Sequence, residues 1–77
     1  MVHAFVMVRT EAGAPQGVRD ALTERDDVSE AHVVAGEYDL IAEVDAESVY
    51  DVLDVATDGI QSLQGVLETK TYVSMSE

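Results

Sequence analysis

The chain has 77 residues, 47% of them hydrophobic, with 16 Asp and Glu against 4 Lys and Arg, a net charge of −12, and no cysteine. Such a surface repels nucleic acid and anionic membranes, which are gripped through clustered Lys and Arg. No apolar run approaches the roughly 20 residues of a membrane span, and Met1-Val2-His3 lacks the basic flank of a signal peptide.

What remains is one small domain over residues 1–77, expected in a reducing cytoplasm because it has no cysteine. Domains near this size bury only about 60% of the surface their unfolded chains expose. The apolar content therefore implies burial against other copies of the chain. Self-repulsion opposes that association in ordinary salt, but at molar salt the Debye length is about 3 Å and the repulsion is screened. With Lys70 its only lysine, the chain suits a salt-rich, halophilic cytoplasm. An ordinary acidic surface is the alternative.

Residues 2–9 alternate as a strand, with Val2, Ala4, Val6 and Val8 on one face and His3, Phe5, Met7 and Arg9 on the other. Both faces are mostly apolar, so both need cover. After the loop Thr10–Gly13, Pro15 suits the first turn of a helix, where its missing N–H costs nothing. Ala14, Val18, Ala21, Leu22 and Arg25 form the inward stripe, and Asp26-Asp27 ends the helix.

Val28–Ala35 and Tyr38–Val44 read as two strands joined tightly through Gly36-Glu37-Tyr38-Asp39. Gly36, free to take positive φ, is expected to reverse the chain. Asp45 is placed to cap a second helix, whose inward stripe is Val49, Val52, Leu53, Ala56 and Ile60, with Gly59 as its stop. Alternation returns over Val66–Met75. The order, strand-helix-strand-strand-helix-strand, predicts an α+β, ferredoxin-like βαββαβ fold: a four-stranded antiparallel sheet with two helices on one face. Covering the bare face with a second copy's sheet makes a two-fold dimer, an α+β barrel.

Chemistry is sparsely marked. His3 and His32, the only histidines, lie in strands without metal-ligand spacing, so no metal is expected. No nucleophile-elbow or phosphate-loop pattern is present, and no cofactor is implied. Asp39 stands out by position beside the turn. Its carboxylate either holds the ammonium of a zwitterion while backbone N–H groups hold the ligand's carboxylate, or satisfies the turn's own backbone.

Two segments carry a resemblance. Val34-Ala35-Gly36-Glu37-Tyr38-Asp39-Leu40-Ile41-Ala42-Glu43-Val44, followed by Gly65-Val66-Leu67-Glu68-Thr69-Lys70-Thr71-Tyr72-Val73-Ser74-Met75, resembles the effector-binding (RAM) domain of the Lrp/AsnC transcription regulators, and Asp27-Val28-Ser29-Glu30-Ala31 matches the family's entry to strand 2. The resemblance implies βαββαβ domains packed sheet to sheet, dimers assembled into rings, often octamers, and small effectors, typically amino acids, in clefts between dimers. It puts effector-site residues at Val33, Gly36, Asp39, Gly59, Tyr72, Val73 and Ser74, with Glu37 and Tyr38 as neighbours. Gly59 departs from the Thr or Ser of some members, removing a hydroxyl contact. The family's regulators carry a helix-turn-helix that this sequence does not show. The expectation is therefore a stand-alone, non-enzymatic effector module that partners itself, an amino acid and, by co-assembly, full-length regulators, but not DNA or membrane. The alternatives are a purely structural assembly unit, or a small dimeric α+β barrel enzyme drawing on His3, His32 or Asp39.

Overall fold

In the computed structural model, which describes residues 1–76, the alternating segments pair as antiparallel strands. They are β1 (Val2–Thr10), β2 (Val28–Val33), β3 (Leu40–Ala46) and β4 (Val66–Val73), in the order β2-β3-β1-β4. Two crossovers carry α1 (Pro15–Thr23) and α2 (Val49–Asp54), the latter continued by a π-helical segment, Val55–Ile60. This is the expected ferredoxin-like βαββαβ arrangement.

Strand alternation fixes what is buried. Val6 and Val8 of β1 and Leu40, Ala42 and Val44 of β3 are fully buried in one cluster with Val18 and Leu22 of α1 and Val55, Ala56 and Ile60 of the second helical stretch, and Ala4 and Val52 are fully buried as well. The opposite face keeps Phe5, Met7, Ile41 and Tyr72 uncovered in the single chain, with Phe5 and Tyr72 37% and 54% exposed. Among the described residues, no helix is long and apolar enough to cross a membrane.

Several local expectations are corrected. α1 ends at Thr23, before Asp26. Asp45 does not cap α2: β3 runs on to Ala46, where Asp45 stands opposite His3. Ser48 is the cap, its hydroxyl accepting from the Asp51 N–H at 3.2 Å. Gly59 is not the stop but sits buried inside the π-helical segment, which closes with Gln61 N–H donating to the Ala56 carbonyl. The buried stripe is Val52, Val55, Ala56, Gly59 and Ile60, whereas Val49 and Leu53 stay 47% and 46% exposed. Both stripes have helical spacing and share three residues, so periodicity alone did not choose between them.

β2 also departs from plain alternation. The register shifts between Val28, opposite Val44, and Glu30, opposite Glu43, leaving Ser29 as the extra residue of a bulge. The bulge lets Val28 and Ala31 both enter the core while Glu30 and His32 turn to the open face.

Candidate functional site

The β2–β3 connection is six residues long, 34–39, rather than a tight turn at Gly36. Gly36 does not have positive φ; the glycines that do are Gly13 and Gly65, at the ends of other connections. The reversal is instead held at its base. The Val34 N–H donates to the Asp39 carbonyl and the Asp39 N–H to the Val8 carbonyl, each at 2.9 Å.

Asp39 ties this loop to the end of β1. Its Oδ2 accepts from the Thr10 N–H at 2.8 Å and lies 3.3 Å from the Thr10 hydroxyl, and Thr10 is buried. The carboxylate therefore satisfies backbone, as the blander of the two sequence readings has it, but on β1 rather than within its own turn. Beside it the Arg9 guanidinium stacks over the Tyr38 ring, 5.3 Å from its centroid.

The rest of the loop borders a groove of about 420 Å³ whose wall includes Met7, Gly36, Glu37, Tyr38, Ile41 and Tyr72. Four of the nine expected residues thus share one groove, and Asp39 anchors the loop that forms it. Val33 is half-exposed at the end of β2. Val73 and Ser74 border a different groove with His3, Phe5 and Val49. Gly59 borders a third, acidic one containing Arg25, Asp27, Asp51, Asp54 and Asp58. There Arg25 lies against Gly59 and pairs with Asp27 through Nε and Nη2, both at 3.0 Å.

The open face also holds a polar cluster that sequence reading missed. His3 Nδ1 lies 2.6 Å from Asp45 Oδ1, and His3 Nε2 lies 3.1 Å from Glu43 Oε1. On the other side of Glu43, His32 Nε2 lies 3.7 Å from Oε2 and 2.9 Å from Glu30 Oε1. The Asp45 carboxylate hydrogen-bonded to its ring raises the His3 pKa above the ordinary value; burial opposes this and Glu43 reinforces it. His3 in turn lowers the pKa of Asp45. Spacing along the chain hides this cluster because its members come from three strands. Once β1 and β2 flank β3, pairing puts His3, Glu43 and Asp45 on one face, and the bulge at Ser29 turns Glu30 and His32 to the same side.

Comparison with known proteins follows this architecture. The Lrp/AsnC ligand binding domain matches residues 3–77. The chain is 32% identical over 74 residues to an uncharacterised HTH-type transcriptional regulator of Pyrococcus abyssi, covering 92% of this chain and 49% of that protein. The chain thus spans about half the length of the curated relatives it matches. A crystal structure from Thermus thermophilus superposes with a TM-score of 0.94 at 38% identity, covering 100% of this chain and 96% of that one. The fold is also that of a Neisseria meningitidis transcriptional regulator solved as a complex with L-Met. That match has a TM-score of 0.88 at 17% identity and covers 99% of this chain and 51% of that one.

Proposed function

This chain belongs to the Lrp/AsnC ligand-binding domain family, and from that premise we propose that it is a cytoplasmic effector-binding and oligomerisation module of transcriptional or metabolic regulation. Its effector is a small zwitterion of the amino-acid class, and it acts without catalysis and without gripping DNA itself. The net charge of −12 supports the last point.

The observation that carries this reading is the groove at the β2–β3 loop, opening beside the uncovered apolar strip of Phe5, Met7, Ile41 and Tyr72. Two copies facing each other through that strip bury it. Val33, Gly59, Val73 and Ser74 lie away from the loop groove in one chain, so a common effector cleft needs neighbouring copies to bring them together. Glu37, which borders the groove, is the carboxylate for the ligand's ammonium, because Asp39 is already engaged by Thr10. The fold is shared with the Neisseria regulator whose complex holds L-Met, and this supports the amino-acid class.

Isothermal titration of the twenty amino acids in molar KCl tests the proposal. At least one is expected to bind, and Glu37→Gln is expected to weaken it. The rival reading, a purely structural assembly unit, is favoured by the structural engagement of Asp39. It prevails if the chain assembles and no amino acid gives heat.

A further inference from the structure

We propose that Glu30, His32 and Glu43 form a binding site for one divalent transition-metal ion on the open face of the sheet, at its β2 edge. The inference is independent of the effector reading. It rests on how three side chains from two strands converge.

Their donor atoms all lie within 4.8 Å of one another. Zinc-like ions sit about 2.0–2.2 Å from imidazole nitrogen and carboxylate oxygen, so two donors at tetrahedral angles are about 3.3 Å apart. His32 Nε2 lies 2.9 Å from Glu30 Oε1 and 3.7 Å from Glu43 Oε2, on either side of that separation. A small rotation of exposed side chains reaches the geometry.

Two further observations point to a cation there. Glu30 stands directly opposite Glu43 in the ladder, and like charges at that position repel. A divalent ion between them turns the repulsion into a shared bond. The bulge at Ser29 is what brings Glu30 to this face; under plain alternation Glu30 shares the face of buried Val28.

Glu43 is also held in place. Its Oε1 is engaged by His3 Nε2 at 3.1 Å, and His3 is fixed through Nδ1 by Asp45 at 2.6 Å. That leaves Oε2 toward His32 and orients the carboxylate as outer partners do at metal centres. A set of one nitrogen and two oxygens suits zinc, cobalt, nickel or copper. Magnesium and calcium favour oxygen alone.

Cobalt(II) titration of the chelator-stripped chain in molar KCl, followed by visible absorption and competed with zinc, tests the site. The salt suppresses diffuse binding to an acidic surface. One ion per chain is expected, displaced by zinc and not by equimolar magnesium. His32→Gln is expected to weaken it by at least about tenfold, and Asp58→Asn, in the acidic groove on the helical side, to leave it unchanged. Side-chain 15N spectra should show the His32 ring shifting on zinc addition. The proposal is overturned if binding is not saturable, if magnesium competes equally, or if His32→Gln binds like the parent.

Discussion

Gly59 allows the packing of the helical side to be tested with one methyl group. A Cβ built there meets Arg25 Nη2 at 2.7 Å and Cζ at 2.8 Å, so Gly59→Ala has to displace the guanidinium. Arg25 is not free to leave without loss, since it holds Asp27 through two bonds of 3.0 Å. That pair is about one-third exposed at each end, which limits its worth to about 0.5–1 kcal/mol. Against this, alanine is favoured over glycine in a helix by about 1 kcal/mol. The two effects nearly cancel, so Gly59→Ala is expected to change stability by less than about 0.5 kcal/mol. In an Arg25→Ala background the clash is gone and only the helix gain remains. There the same substitution should stabilise by about 1 kcal/mol, or about 4–8 °C in Tm for a domain of this size. The assay is a double-mutant cycle by thermal and urea unfolding at fixed protein and salt concentration, because assembly shifts apparent stability. Equal effects of Gly59→Ala in both backgrounds would refute the reasoning.

Other expectations are tested the same way. Asp39→Ala removes a charged acceptor from the buried Thr10 N–H and should cost about 1–3 kcal/mol in urea unfolding, with Asp39→Asn losing less; an unchanged midpoint for Asp39→Ala would show that the loop is not anchored there. His3, whose pKa is raised by Asp45, contributes stability fully below its unfolded pKa of about 6.5 and loses it as pH rises through the folded value. Asp45, whose pKa is lowered by His3, contributes above its unfolded pKa and loses that only as pH falls through its folded value. With chelator present, the melting-temperature gap between the parent and His3→Gln should therefore be wider at pH 6 than at pH 9, and a gap independent of pH would refute the pairing. With a net charge of −12, the proposed assembly should tighten from about 0.1 M to molar KCl as the Debye length shrinks from about 10 to 3 Å. Light scattering that shows the same mass, or less, at high salt would count against it.

Arg25 and Asp39 show why the site was harder to read than the fold. Asp39 is conspicuous beside its turn, but its partner, Thr10, lies 29 positions away on β1. The turn itself looked tight because Gly36 offered the freedom to make it. The chain instead closed a six-residue loop at its base through Val34, Asp39 and Val8. The sequence reading included Arg25 in the stripe of α1, yet its role is set by Gly59, which periodicity had marked only as a stop. Asp39 takes its role from a residue remote in the chain, and Arg25, though paired with Asp27 two positions on, is set against Gly59 by the fold.

Period-two alternation sorted β1 and β3 into their two faces, because a strand's side chains must leave on opposite sides of its backbone, and the structure showed that Ala4-Val6-Val8 and Leu40-Ala42-Val44 are the faces buried against the helices. Helical spacing did the same for Val18 and Leu22, and the order of elements implied the topology. Tertiary structure alone decided the bulge at Ser29, the choice of Val55 over Leu53 and the gathering of His3, His32, Glu30, Glu43 and Asp45 on one face. Periodicity records which side of an element is dry. It carries no information on register between elements, and register determines which side chains meet.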